Sequence, residues 1–415
     1  MQKAIAACVL GALSIVWPSS AHSQTPEKTP AGTTTAQRPA RSSRGAAKPT
    51  ATFESLAAQA SAAREANDLE KAIPLYEQAV KLRPTWTEGY WYLGTSNYEL
   101  DRFEASRDAF RRVTRLTPDN ADAWAFQGLC DYQQKSYEDA LSALLRARTL
   151  GVTPKQGLVR IVRYHAAILL NRIEDYEQAL DVLREFARED NDGPRVIEAF
   201  GIATLRVPLL PPDVPGSKRE VVMLAGRAAY FTAARLYTAG QKAFEELVSR
   251  YPDTPNVHYA FGTFLIGEQP DKGLEQFQEE LKVSPRHPWA KMQLAFEYMK
   301  RQDMEKARPF AEQAVEEAPN VYVARKALGQ VLLATGDVQG AIREYEAGVK
   351  LSPESPSMRF ALARAYRRAG RTADADREQK EFARLDRLVR AQRGGEQSVG
   401  GIELDSPAAQ PATPQ

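Results

Sequence analysis

A repeat of about 34 residues runs through most of this chain, and no other feature limits its fold as severely. Units begin near Phe53, Thr87 and Ala121, and again near Val221, Pro255, Pro288, Tyr322 and Pro356. Two of them align plainly: YWYLGTSNYELDRFEASRDAFRRVTRLTP (Tyr90 to Pro118) and KALGQVLLATGDVQGAIREYEAGVKLSP (Lys326 to Pro353). Each has Leu-Gly, a small or polar run, an aromatic, and a closing Pro. Each unit reads as two amphipathic helices separated by a break such as NDL, DRF, RQD or TGD. The closing Pro stops the second helix, because it lacks an amide donor and disfavours helix in the residue before it. A unit this short cannot bury its apolar face alone, so stacking on neighbours is obligatory.

The pattern resembles the tetratricopeptide repeat (TPR). That signature has a large residue at unit position 4, Leu-Gly or Leu-Ala at 7 and 8, an aromatic near 11, Ala at 20, an aromatic at 24, a small residue at 27 and Pro at 32. One unit supplies Tyr90, Leu93, Gly94, Phe110 and Pro118; another supplies Trp124, Gly128, Ala140 and Ala147. A third supplies Leu328, Gly329, Ala341, Tyr345, Gly348 and Pro353, and the first keeps Ala72, Tyr76, Ala79 and Pro84. The resemblance covers about residues 53 to 393. It implies an all-α, right-handed superhelix (an α-solenoid) of stacked helix-turn-helix units, interrupted near residues 207–218.

The phase divides the chain into N-terminal units (53–154), degenerate units with a Pro-rich loop (155–220), and C-terminal units with a capping helix (221–393). In the middle block Ala166-Ala167 replaces Leu-Gly. The stretch from Val196 to Glu220 reads as a first helix cut off by Pro208 to Pro215, which leaves the helix pairing over 190–235 open. Pro74 and Pro309 fall at the same offset inside second helices, where a kink is expected.

The two ends differ in kind from the repeats. Lys3, the apolar run Ala4 to Trp17 and the small residues before Gln24 read as a secretory signal peptide (1–23), cleaved after Ser23 or Ala21. An uncleaved anchor and, at Ile5-Ala6-Ala7-Cys8, a lipoprotein box are the other readings. Residues 24–52 are Pro, Ala, Thr and Ser with scattered Lys and Arg, and 394–415 are Gly, Pro and polar residues. Both stretches have too little apolar surface to fold and are expected to be disordered. The location that follows is extracytoplasmic, periplasmic or secreted, with no membrane span in the mature chain. Of the two cysteines, Cys8 leaves with the signal, so Cys130 has no partner for an internal disulfide.

Chemistry for a reaction is hard to find. Lys and Arg number 55 against 53 Asp and Glu, which leaves no overall basic excess for nucleic acid. Outside the signal only His165, His258 and His287 remain, and there is no HExxH, Walker loop, GxGxxG or GxSxG. The acidic run Glu189 to Gly193 fails as a calcium loop, since Arg188 and Ala199 fall where ligands are needed. No metal or cofactor is expected.

The resemblance does imply a groove. In TPR arrays the first helices line the concave side, with positions 2, 5, 9, 12 and 13 pointing inward. Those positions give Trp91, Thr95, Tyr98, Leu129 and Tyr132, then Trp289, Met292, Phe296 and Met299, and finally Phe360, Arg364, Arg367 and Arg368. Aromatics, Met and Arg are enriched at the energetic centres of interfaces. The expected partner is a protein or peptide whose apolar anchors are followed by Asp or Glu, bound on the last three units. The Lys and Asn clamp that TPR modules use for cytosolic chaperones is absent, with Ala57, Ser61, Tyr92 and Thr95 at those positions. The leading function is a non-catalytic scaffold in envelope assembly or secretion. The alternatives are carbohydrate binding through groove aromatics and an enzyme site within 190–235.

Overall fold

The computed structural model describes residues 52–154 and 157–397, the last seven as helix backbone. The expected signal peptide, the linker apart from Thr52, and the tail beyond Gln397 lie outside the described residues. Nineteen α-helices are present among them and no strand. Helices α1 (Phe53–Glu65) and α2 (Leu69–Leu82) form the first pair, and α3 (Thr87–Glu99) with α4 (Phe103–Leu116) the second. Then come α5 (Ala121–Gln133) with α6 (Tyr137–Leu150), α7 (Leu158–Arg172) with α8 (Tyr176–Arg188), and α9 (Pro194–Thr204) with α10 (Arg219–Ala233). A single helix, α11 (Tyr237–Arg250), follows. After it come α12 (Val257–Leu265) with α13 (Pro270–Val283), α14 (Pro288–Lys300) with α15 (Met304–Glu317), and α16 (Tyr322–Ala334) with α17 (Val338–Leu351). The last pair is α18 (Pro356–Arg368) with α19 (Thr372–Gln397), whose helix passes the expected limit at Arg393.

The same device turns each pair. Asn67, Asp101, Lys135, Glu174, Gln302, Gly336 and Gly370 all have left-handed backbones, each just after a first helix. In most of these turns the next amide bonds back to the final turn of that helix, as in Asp68 N–H to the Ala63 carbonyl (2.8 Å) and Arg102 N–H to the Asn97 carbonyl (2.8 Å). This pairing satisfies carbonyls that the helix end would otherwise leave unpaired. The aspartate that opens several second helices then caps them: Asp68, Asp175, Asp303 and Asp337 each accept from a first-turn amide.

Packing explains why the repeat needs its small residues. A Cβ on Gly94 would lie 2.7 Å from the Phe110 ring, and one on Gly329 would lie 2.5 Å from the Tyr345 ring. The aromatic at position 24 therefore rests directly on the backbone at position 8, and both rings are fully buried. Burying a side chain of that size contributes about 2–3 kcal/mol. Pro74 and Pro309 are exposed, so the carbonyl that each leaves unpaired can be hydrated, which accounts for their tolerance inside helices.

The Pro-rich stretch joins the two helices of one pair. α9 and α10 cross at two glycines: a Cβ on Gly201 would meet the Val222 carbonyl oxygen at 1.9 Å, and one on Gly226 would meet the Ile197 carbonyl oxygen at 1.9 Å. α9 packs on α7 and α10 on α8, as a first and a second helix should. The connection between them contains turns at Pro211–Asp213 and Gly216–Lys218 and is pinned by buried Leu210, Pro211 and Val214. Yet α10 also ends in the turn typical of first helices, with Arg235 left-handed and the Leu236 amide bonded to the Phe231 carbonyl. Its sequence phase as a unit start at Val221 and its role as partner of α9 are therefore both real. The compact units accordingly divide between Leu236 and Tyr237, whereas the repeat phase placed the division at 220/221.

Candidate functional site

In the first unit the groove residues are mostly taken up by packing. Trp91 is half-buried, edge-on to Phe110 (5.5 Å) and Phe126 (5.8 Å). Tyr98 is only 6% exposed, wedged between Phe103 and Phe126, and burial pushes its phenol pKa up. Thr95 and Leu129 are buried as well. Tyr98 therefore belongs to the core and offers no contact area, contrary to its position in the repeat.

Tyr132 is different, and the structure gathers a set around it that the repeat pattern does not single out. Its ring lies 4.7 Å from the His165 ring and 5.8 Å from Tyr137. Tyr164 stands edge-on to His165 at 5.4 Å. His165 Nδ1–H donates to the Ile161 carbonyl (2.8 Å), and burial lowers its pKa to about 4, so it is neutral. Burial also raises the phenols of Tyr132 and Tyr164, and both feel the charge of Arg195 on α9. The Ala166-Ala167 departure from Leu-Gly, next to Tyr164-His165, was the available signal.

In the second unit the Trp289-Met292-Phe296-Met299 stripe is largely structural. Met292 is 2% exposed and packs with Ala314 and Ala324. This corrects its assignment as an anchor. Trp289 and Phe296 are half-buried against that same cluster, and Met299 packs against the next one. Rows of apolar side chains on α14 meet α15 and α16, which is why helical spacing alone could not separate core from groove. Lys326 on α16, at the fifth position of its unit, was not singled out. Burial lowers its pKa, and among the described residues no carboxylate is paired with it.

The terminal pair carries the exposed chemistry. Residues 356–393 contain eleven Lys and Arg against five Asp and Glu. Four of the five acids are already engaged. Glu378 holds Arg359 (2.8 Å), Asp374 holds Arg371 (2.6 Å) and Arg377 (2.8 Å), Glu381 holds Arg384 (2.6 Å), and Asp386 holds Arg390 (2.8 Å). Hydrogen bonds from Arg371 and Arg377 keep the Asp374 carboxyl below its ordinary range. Arg364, Arg367 and Arg368 are exposed, and among the described residues none is paired with a carboxylate. Arg367 reaches only Gln379 at 3.5 Å, and Arg364 sits 5.9 Å from the Phe360 ring centre. Phe360 is 42% exposed and lies 5.4 Å from Phe382. The capping helix thus neutralises Arg359 and Arg371 and leaves a row of three arginines beside exposed Phe360 and half-buried Phe382.

The remaining sequence candidates have structural roles. Cys130 is fully buried, its thiol donates to Ser106 Oγ (3.2 Å), and burial raises its pKa to about 12. His287 caps α14 by accepting from the Ala290 amide, and its Nε2–H donates to Asn256 Oδ1 (2.9 Å). His258 donates to Gln276 (2.7 Å). Glu189 is held by Arg160 and Arg163, as a turn residue. Among the described residues no group of His, Cys, Asp and Glu could hold a metal, and no helix is long and apolar enough to cross a membrane.

Comparison with known proteins agrees with the repeat. Profiles described as tetratricopeptide repeat match residues 57–113, 92–151, 326–378 and 290–321. The chain carries tetratricopeptide repeats. It is similar to the human protein O-mannosyl-transferase TMTC3, 24% identical over 254 residues, a match that covers 58% of this chain and 27% of that protein. Among solved structures, a crystal structure of MamA aligns at 14% identity over 40% of this chain and 96% of that one (TM-score 0.37). A MamA fragment from Desulfovibrio magneticus RS-1 aligns at 19% identity over 42% and 97% (TM-score 0.36).

Proposed function

We propose that this repeat chain is an extracytoplasmic scaffold that binds a partner protein or peptide through the terminal pair α18–α19. The observation that carries the reading is the uncompensated row Arg364, Arg367 and Arg368 beside exposed Phe360. Three like charges along one helix face repel one another, so an acidic group placed against them gains energy that no acid among the described residues supplies. Aromatic residues and arginine are also both enriched at interfaces. The ligand is therefore a segment with apolar anchors followed by Asp or Glu. The signal-like residues 1–23 motivate the location. The transferase activity named for TMTC3 stays with that protein, since the shared stretch is a minor part of its length.

A second reading rests on the first unit. Tyr132, Tyr164 and His165 form an aromatic group with Arg195 nearby, which suits a sugar face or a planar ligand. Fluorescence anisotropy with acidic-apolar peptides and with oligosaccharides separates the two. The proposal expects peptide binding that weakens with salt and is lost in Arg364→Gln/Arg367→Gln. Binding of sugars alone, unaffected by those changes, would transfer the function to the first unit.

A further inference from the structure

We infer that the ligand of the α18–α19 patch is the chain's own segment Ile402-Glu403-Leu404-Asp405, supplied by a second copy. This rests on the peptide-binding reading of that patch and names its occupant. Residues 398–415 contain two acids, Glu403 and Asp405, and no Lys or Arg. Their large apolar residues are Val399, Ile402 and Leu404, so acids and apolar residues alternate over four positions. By contrast, residues 1–51 contain one acid, Glu27. No other stretch outside the described residues has the chemistry that the patch lacks.

The match is specific in kind. The segment pairs apolar side chains with acids, and the patch offers both counterparts along one helix: the ring pair Phe360–Phe382, and the row Arg364, Arg367 and Arg368. Four of the six acids of α19 are held by Arg359, Arg371, Arg377, Arg384 and Arg390, and among the described residues none is paired with Arg364, Arg367 or Arg368.

Length decides between the same chain and another copy. Phe382 lies against Phe360 with its ring tilted by 50°, and Gln397 lies fifteen residues further along α19, about 22 Å away at 1.5 Å per residue. Ile402 is five residues beyond Gln397, and five extended residues span at most about 18 Å. Reaching Arg367 adds about 10 Å, because α18 runs back in the opposite direction. Asp405 has about 28 Å of chain for that path of about 32 Å. Even fully extended, the backbone of its own segment ends about 4 Å short of each anchor, whereas one from a second copy has no such limit.

Sedimentation velocity of the full chain tests this with paired charge reversals. One variant is Arg364→Glu/Arg367→Glu, and the other is Glu403→Lys/Asp405→Lys. The wild type should self-associate with rising concentration, and each variant alone should associate at least ten-fold more weakly. Mixing the two variants should restore association, since each segment then faces a patch of opposite sign. A monomeric wild type, or association unchanged in both variants, overturns the inference. A labelled peptide spanning Gly400 to Ser406 and an unrelated peptide with two Leu and two Glu separate the two levels of the argument. If only the unrelated peptide binds, and does so through Arg364 and Arg367, the occupant is wrong and the peptide-binding reading stands. If neither binds, both fall.

Discussion

Replacing Gly201 with Ala should separate α9 from α10, and the structure sets the size of the effect. The new Cβ would lie 1.9 Å from the Val222 carbonyl oxygen and 2.7 Å from its carbonyl carbon. Ordinary contact begins near 3.4 Å, so the helices must part by roughly 1.5 Å at their closest point. The obstacle is backbone, and no rotamer change can relieve it. Ile197, Phe200, Val222 and Ala225 are all buried at this crossing and would lose contact together. Overpacking of this kind costs about 1–3 kcal/mol, and an unyielding backbone neighbour places Gly201→Ala near the upper end. Gly226→Ala meets the Ile197 carbonyl at the same distance, so once either change has spread the helices the second should add less than its separate cost. Gly216→Ala, with nothing within 4 Å, is the control and should stay within about 0.5 kcal/mol. A repeat array opens locally, so hydrogen exchange of α9 and α10 is the suitable assay, with denaturant unfolding beside it. Unchanged exchange in both helices for Gly201→Ala would refute the pairing of α9 with α10.

Other outcomes follow from single contacts. Burial works to raise the Glu189 carboxyl, but hydrogen bonds from Arg163 and Arg160 outweigh it and hold the pKa below the ordinary value. That contribution is present above the unfolded carboxylate pKa of about 4.3 and is lost as pH falls through the folded one. Glu189→Gln should therefore lower stability at pH 7 by up to about 1 kcal/mol, with the gap from wild type closing in acid unfolding curves. Phe296→Ala should cost roughly 2 kcal/mol of stability, because half of the ring is packed. Phe360→Ala should cost less than about 1 kcal/mol of stability while weakening peptide binding by about 2 kcal/mol. Cys130 should resist iodoacetamide at pH 8 in the folded chain and react at the rate of unfolding, as mass spectrometry would show.

Much of the fold was legible because the repeat states its own packing rule. Gly94 and Phe110, or Gly329 and Tyr345, are separate signals in the sequence and one contact in the structure. The middle was less legible. Val221 carries the phase of a unit start, and only the Gly201–Gly226 crossing reveals that its helix also closes the pair begun by α9. Of the candidate site, exposure was legible only in part. Phe360, Arg364, Arg367 and Arg368 are exposed at positions expected to line a groove, whereas Tyr98 and Met292 occupy equivalent positions and are buried. Position along a helix fixes a direction, and the neighbours fix whether anything lies in that direction. The Tyr132–Tyr164–His165 group joins α5 to α7 across the irregular unit, where the repeat offers no template.

Site-specific photo-crosslinking in the full chain tests the central claim most directly, with the probe at Phe360 or Arg368 and, as controls, at Glu104 and Leu236. The account predicts a polypeptide adduct from Phe360 and Arg368 that disappears when Arg364→Gln/Arg367→Gln is added. Equal adducts from all four positions, or adducts indifferent to the arginine changes, would contradict a partner surface on the terminal pair.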